Sequence, residues 1–216
     1  MAEKFHTELK TLKKDTVAMA LHGRAMLHDS VDALIRQDKE LAESVVARKD
    51  KIHEMEVKLE DRCYHLIALN QPMAKDMRVI ACTLKVITAS IRIGRYGKSI
   101  AKIVKEIAGK PHLSNLMSIP HMAELVIDMV DDSVKAYETD SNSLIGDFSS
   151  RDDTIDALRY SIFRESITYM MEDPRNISRC THYIMVARYL ERCADHACKI
   201  AENVHYMNTG ERIEIH

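Results

Sequence analysis

The sequence predicts an all-α protein built from two tandem, related three-helix bundles, each running up, down and up. Three observations lead to this prediction: few turn-forming residues, apolar side chains that recur every three or four positions, and similarity between the two halves. The 216 residues include 6 Gly, 4 Pro and no Trp. Sandwich, barrel and Rossmann folds need more turn residues and more β-branched runs, so we exclude them.

The apolar periodicity indicates long helices packed at shallow angles. One such stripe in the second half steps by three and four residues from Ala187 through Leu190 and Ala194 to Val204. Breaks at Pro, Gly and Asn-rich segments divide the chain into six expected helices, at residues 3–36, 39–69, 73–108, 119–139, 143–172 and 175–207. Short connections make neighbouring helices antiparallel.

The two halves are similar at an offset of about 100 residues. Residues 26–33 (MLHDSVDA) align with residues 129–136 (MVDDSVKA), and Pro72 aligns with Pro174. We therefore predict a first bundle over residues 1–110, a linker over 111–118 and a second bundle over 119–216. Two copies are too few for a stacked solenoid, which usually needs three or more.

Charge and composition exclude several classes of protein. The net charge is −2, and no Lys/Arg block suggests nucleic-acid binding. No stretch approaches the roughly 18 apolar residues of a transmembrane helix, and the first residues are polar, so we expect neither membrane insertion nor a secretory signal. The five Cys lack disulfide-scaffold spacing, which favours a reducing, cytoplasmic location.

Two pairs of carboxylates form the main candidate site. Asp152 and Asp156 are four residues apart on the fifth helix, as are Glu191 and Asp195 on the sixth, so each pair shares a helix face. Asp156 precedes the turn at Pro174 by 18 residues and Glu191 follows it by 17. Because both helices rise by the same distance per residue, the two pairs reach the same height above the turn.

A third pair on the fourth helix, Asp128 and Asp132, is expected at the same level, since Asp132 and Asp152 lie equally far from Asn142. Height alone does not fix which side chains point inward. Carboxylates about 5 Å apart repel by on the order of 3 kcal/mol per pair at an effective dielectric of 20. Protonation, basic neighbours or a cation would offset this repulsion, and carboxylate oxygens suit Mg, Mn, Ca, iron or zinc. The alternative is a solvated acidic face.

The first half lacks this acidic set. The corresponding positions are Ala25, Asp29, Lys49, His53, Ile91 and Arg95. Five of the six carboxylates are absent there, so we expect metal in the second half and not in the first. Alternatively, these regions of the two halves form different surfaces that bind different partners.

Other chemical motifs are weaker. Two ExxH patterns, ending at His6 and His205, lie near the chain ends and do not match the arrangement of a di-iron bundle. His196 and Cys198 flank Asp195 and are candidates to extend a metal site, although both residue types are common in bundle cores. No nucleophile-elbow, zinc-protease, P-loop or dinucleotide motif is present, so we predict no catalytic residues.

Two segments resemble the PhoU family of phosphate-transport and phosphate-signalling regulators. Residues 69–78 (LNQPMAKDMR) are similar to the family's central QPxAxDLR segment, and residues 188–196 (RYLERCADH) to its RxLERxADH segment. The ending, residues 201–204 (AENV) and 209–211 (TGE), is similar too. The resemblance covers nearly the whole chain, with the segments in the family's order.

The resemblance implies a cytoplasmic, often dimeric adaptor that dampens a phosphate ABC transporter and a phosphate-responsive sensor kinase. It also implies metal clusters, iron or zinc first, on the paired acidic motifs, which fall on Asp152, Asp156, Glu191 and Asp195. In the first half those motifs fall on Lys49, His53, Ile91 and Arg95, where this chain departs from the pattern. A metal-dependent enzyme, a metal store, a plain helical scaffold and a regulator of another transporter remain alternatives.

Overall fold

The computed structural model describes residues 2–109 and 111–215. Within those ranges the regular structure is entirely helical, so the predicted fold class is confirmed. The α-helices, numbered along the chain, are α1 (Ala2–Arg36), α2 (Lys39–Ala47), α3 (Lys49–Asn70), α4 (Ala74–Ile107), α5 (Ile119–Thr139), α6 (Phe148–Glu172) and α7 (Ile177–Thr209). Short 3-10 turns occupy Ser114–Leu116 and Pro174–Asn176. None of the described helices is both long and apolar enough to cross a membrane.

Two predicted helix boundaries need correction. The predicted helix 39–69 is interrupted at Arg48, whose N–H bonds to the carbonyl of Val45, three residues back, in addition to that of Val46. The fifth helix begins at Phe148 and not at residue 143, because the preceding residues form turns after Asp140, which has a left-handed φ of 54°. With α2 and α3 counted as one interrupted helix, all six predicted helices are present.

The first bundle contains α1, α2–α3 and α4, and the second contains α5, α6 and α7. The bundles meet through α4 against α7 and α1 against α5, which leaves α2–α3 and α6 on the outside. One apolar core extends through both bundles. Because that core is continuous, the division into separate domains stays a prediction. The predicted boundary residues 1, 110 and 216 lie outside the described residues.

Helices α1 and α4 approach each other closely because Gly97 has no side chain. A Cβ at Gly97 would lie 2.8 Å from the backbone nitrogen of Leu27 and from the backbone carbonyl carbon and oxygen of Met26. Contacts this short with backbone atoms cannot be relieved by rotating a side chain. The contact therefore fixes the height at which α1 and α4 cross, beside the first-bundle positions that correspond to the acidic pairs.

Buried polar contacts join the two bundles. The hydroxyl of Tyr137 on α5 lies 2.6 Å from that of Thr83 on α4, and both residues are fully buried. Leu113 in the connector donates its N–H to the Tyr183 hydroxyl at 3.3 Å, and Arg179 donates to the carbonyl of Pro111. These contacts anchor the connector on α7.

Candidate metal centre

The turn between α6 and α7 sets the relative height of the acidic pairs. Asp173 accepts a hydrogen bond from the N–H of Arg175 at 2.9 Å, and Pro174 begins the short 3-10 turn that leads into α7. This tight, capped turn makes the two helices antiparallel neighbours. Residues similarly distant from the turn on either side, such as Asp152 and Asp195, are thereby brought near one another.

Asp152 lies within this acidic group. Burial is the main cause that raises its pKa, followed by the negative charges of Asp195 and Asp156. The side chain of Cys198 also hydrogen-bonds to Asp152. Asp152 therefore stands where α6 and α7 bring both acidic pairs together.

Glu191 has a side chain that is only 15% exposed. Its Oε2 is buried and makes no hydrogen bond within the described part of the chain. Burial, and then the charge of Asp195, raise the pKa of this carboxyl. A buried carboxylate oxygen without a hydrogen-bond donor is costly, and a cation would relieve that cost.

Two arginines partly neutralise the group. Arg159 Nε lies 3.6 Å from Asp156 Oδ1 and 3.8 Å from Glu191 Oε1. Arg192 donates to Asp195 Oδ2 at 2.9 Å, while its Nε is 3.8 Å from Glu191 Oε2. The sequence reasoning missed Arg159, although its position three residues after Asp156 places both on one face of α6.

His196 and Cys198 have mainly packing contacts. The His196 ring stacks on Tyr96 of α4, with centroids 5.9 Å apart and an interplanar angle of 28°. Burial is the main cause that lowers its pKa, so the imidazole is neutral at pH 7 and lies at the interface between the bundles. Burial raises the pKa of the Cys198 thiol, and all five Cys are buried and free.

The third predicted pair has different neighbours. Asp132 accepts a hydrogen bond from Arg151 Nη1 at 2.7 Å. Asp128 is exposed and contributes, after Asp131, to raising the pKa of Arg24 on α1. The structure thus brings Asp152, Asp156, Glu191 and Asp195 together, pairs Asp132 with Arg151 and leaves Asp128 exposed.

The donor chemistry of the α6–α7 group suits a hard cation, since it consists of carboxylates, one of which has a buried oxygen without a hydrogen bond. In residues 2–109 and 111–215, no three His, Cys, Asp or Glu side chains are arranged as a formed metal site. Arg159 and Arg192 lie against these carboxylates, so a cation would compete with them for the same oxygens. The long contacts of Arg159 make it the easier of the two to displace.

The corresponding positions of the first bundle also come together. Lys49, His53, Ile91 and Arg95 line one cavity of about 190 Å³. Within that set, cationic and neutral side chains replace the carboxylates of the second bundle. The repeat thus places equivalent residues at equivalent locations, with the sign of the charge reversed.

Comparison with known proteins identifies the family. The PhoU domain matches residues 16–104 and 119–204, one match in each bundle. A phosphate-specific transport system accessory protein PhoU homolog of Rhizobium meliloti (strain 1021) is 37% identical over 95% of this chain and 87% of its own length. The homolog of Aquifex aeolicus (strain VF5) is 37% identical over 98% of this chain and 96% of its own.

Two solved structures are similar over their whole length. The crystal structure of PhoU from Pseudomonas aeruginosa matches with a TM-score of 0.91 at 32% identity, covering 96% of this chain and 100% of that one. The crystal structure of the phosphate transport system regulatory protein PhoU from Streptococcus pneumoniae matches with a TM-score of 0.89 at 26% identity, covering 97% of this chain and 99% of that one. The repeated bundles, the matches in both halves and these similarities agree, and the chain belongs to the PhoU family.

Proposed function

We propose that this protein is a cytoplasmic, non-enzymatic adaptor that regulates phosphate uptake and signalling by binding a phosphate ABC transporter ATPase, a sensor kinase or both. The homologues are named as accessory proteins of phosphate-specific transport systems. We further propose, from the family resemblance, that the protein acts as a homodimer and that its output is inhibitory.

The metal-binding part of this proposal rests on Glu191 Oε2, which is buried without a hydrogen bond in a group of four carboxylates and lies 3.8 Å from Arg192 Nε. Asp152, Asp156, Glu191 and Asp195 would hold the cation, iron or zinc by resemblance and Mg or Mn by donor chemistry. The cation would cancel negative charge between α6 and α7 and tie the two helices together. Asp128 and Asp132 belong to the predicted ligand set but have arginine neighbours, so their participation needs a separate test.

The surroundings of this group favour regulation over catalysis. An enzyme needs a general acid or base beside its metal, and His196 is the one histidine adjacent in sequence to these acids. Its ring stacks on Tyr96 and is largely buried. It is therefore poorly placed to exchange protons with a substrate.

Helix α6 offers a surface for the transporter ATPase. Tyr160, Phe163, Ile167 and Met171 are exposed at spacings of three and four residues, so they form an apolar stripe on one face of an outer helix. Contiguous exposed apolar surface commonly marks a site of protein interaction. The stripe and the acidic pair Asp152 and Asp156 lie on the same helix, so a cation that fixes α6 would also affect the stripe.

Calorimetric titration of the purified transporter ATPase into metal-loaded and chelated protein tests this proposal. A coupling of about 1–3 kcal/mol corresponds to a 5- to 150-fold weaker affinity after chelation. Glu191→Gln should weaken binding as chelation does, whereas Glu172→Gln, an exposed change on the same α6–α7 hairpin, should not. Phe163→Glu should abolish binding with or without metal.

Two results would overturn parts of the proposal. Equal affinities for metal-loaded and chelated protein, with the fold retained by circular dichroism, would remove the cation from the regulatory mechanism. Loss of self-association, and not of ATPase binding, in Phe163→Glu would assign the α6 stripe to the homodimer.

A further inference from the structure

The first bundle contains a cationic cavity at the position equivalent to the acidic group of the second bundle. It measures about 190 Å³ and lies between α1, α3 and α4. Its polar lining consists of Lys49, His53, Arg95 and Lys98. The proposed metal function of the second bundle does not use any of these residues.

The positive charge in this cavity exceeds the negative charge around it. Glu56 is the nearby carboxylate; it is partly buried, accepts from His53 Nδ1 at 2.9 Å and lies 3.7 Å from Arg95. Asp50 lies 3.9 Å from Lys49 and is almost fully exposed, so water screens its charge. The side chains of Lys49 and Arg95 are 60% and 46% exposed, so water also screens part of their charge. One partly buried carboxylate thus faces three cations and a histidine.

Lys98 is the cation with the least compensation. Within residues 2–109 and 111–215 it makes no ion pair of 4 Å or less. Burial lowers its pKa, as do the positive charges of Lys102, Lys49 and Arg95. Its ammonium therefore lies in a crowded positive field that an anion would relieve.

The floor of the cavity is apolar, and its depth depends on Gly94. Met26, Ile52 and Ile91 line it beneath the cations. A Cβ at Gly94 would lie 2.6 Å from Ile52 Cδ1 and 3.3 Å from the sulfur of Met26, so any side chain there would displace the floor. Apolar walls lower the local dielectric and strengthen the attraction between the cations and a bound anion.

We propose that this cavity binds a phosphate group, a tetrahedral oxyanion with between one and two negative charges near neutral pH, through Arg95, Lys98 and Lys49. The planar guanidinium of Arg95 offers two parallel N–H donors to two oxygens, and the lysines supply point charges to the others. A charge greater than one matches the excess of cations better than a single carboxylate does. The source is free orthophosphate or the phosphate monoester of a nucleotide, since both present the same group.

Isothermal titration of the full-length protein with orthophosphate and, separately, with AMP tests the proposal at constant ionic strength. We expect one site per chain for at least one of the two ligands. Lys98→Gln should weaken that binding about tenfold or more, and Arg95→Gln similarly. Lys85→Gln, an exposed change on the same helix, should leave the affinity unchanged.

The results distinguish free orthophosphate from a nucleotide as the ligand, and they show whether the first-bundle cavity depends on the acidic group of the second bundle. Tighter binding of orthophosphate assigns the cavity to the free ion, and tighter binding of AMP assigns it to a nucleotide. Glu191→Gln should retain binding, which would show that the site is independent of the second-bundle cation. The proposal is wrong if neither ligand binds, or if Lys98→Gln and the wild type bind equally while circular dichroism shows both folded.

Discussion

Arg151 at the start of α6 donates a 2.7 Å hydrogen bond to Asp132 on α5. The same contact occurs 103 residues earlier, where Arg48 donates to Asp29 at 2.6 Å. The repeat has therefore kept an ion pair that joins the first helix of each bundle to the next. Since Asp29 makes this contact in a bundle without the acidic group, the contact serves the fold in both halves.

This relationship predicts that Asp132 is not required for cation binding. Asp132→Asn should leave the bound metal unchanged after equilibrium dialysis and elemental analysis, whereas Asp152→Asn should reduce it severalfold. Loss of the partly exposed ion pair should cost about 0–1 kcal/mol of unfolding free energy. Equal loss of metal in both variants would place Asp132 among the ligands, as the sequence reasoning expected.

The sequence predicted the height of the acidic residues better than their direction. Helical rise placed Asp132 opposite Asp152, and the structure pairs Asp132 with Arg151, one residue away. The difference arises because the α5–α6 connection runs from Asp140 to Asp147 and includes the buried Ile145. Turn conformation fixes the rotation of the next helix, and rotation decides which neighbouring side chain faces inward.

The hairpin at Pro174 was easier to predict because its turn is short and capped by Asp173. The register across it brought Asp152 near Asp195, as the counting of residues indicated. The spacing of three residues places Arg159 on the same face of α6 as Asp156, but it does not predict that Arg159 also reaches Glu191, since a helical surface offers arginine many partners. The length of the side chain and the packing of α6 on α7 determine that contact.

Gly97→Ala should destabilise the protein. Alanine is intrinsically better than glycine in a helix by about 1 kcal/mol, but its Cβ here would clash with the backbone of α1. Overpacking of this kind costs about 1–3 kcal/mol, and each kcal/mol lowers Tm by about 2–4 °C for a chain of this size. We expect a net fall in Tm by differential scanning calorimetry.

Gly146→Ala is the matched control, because a Cβ there would meet nothing within 4 Å. It should unfold at the wild-type temperature or slightly above. Equal Tm values for the two alanine variants would mean that α1 and α4 separate without cost, and that the close approach at Gly97 is not a constraint.

Tyr137→Phe tests how much the hydrogen bond between the bundles contributes to the free energy of unfolding. The variant removes a buried 2.6 Å hydrogen bond, but the Thr83 hydroxyl keeps the carbonyl of Val79 as a partner at 2.8 Å. The expected cost is about 0.5–1.5 kcal/mol in urea unfolding. Tyr64→Phe, at an exposed tyrosine, should cost nothing measurable.

The same unfolding curves test whether the two bundles unfold together. Since one apolar core runs through both, wild type and Tyr137→Phe should each show a single transition by circular dichroism and by tyrosine fluorescence. Two separated transitions in the wild type would mean that each bundle is stable alone.

Glu191→Gln should stabilise the metal-free protein at neutral and alkaline pH. Burial and the charge of Asp195 raise the pKa of this carboxyl in the folded state. Between its ordinary pKa and the raised value, the folded state binds more protons than the unfolded state, so stability falls as pH rises through that window. The ionised carboxylate is then a net cost at pH 7, and glutamine removes it.

The expected gain is on the order of 1 kcal/mol at pH 7, because glutamine removes the buried charge but keeps a buried polar group, and it corresponds to about 2–4 °C in Tm. It should shrink towards zero below pH 4, where the wild-type carboxyl is protonated in both states. Excess cation should reverse the order, because a ligand at 100 times its Kd stabilises the wild type by about 2.7 kcal/mol and the variant much less. A variant that is less stable than wild type in chelator at pH 7 would mean that Glu191 stabilises the fold through Arg159 and Arg192, so that the acidic group is structural and needs no cation.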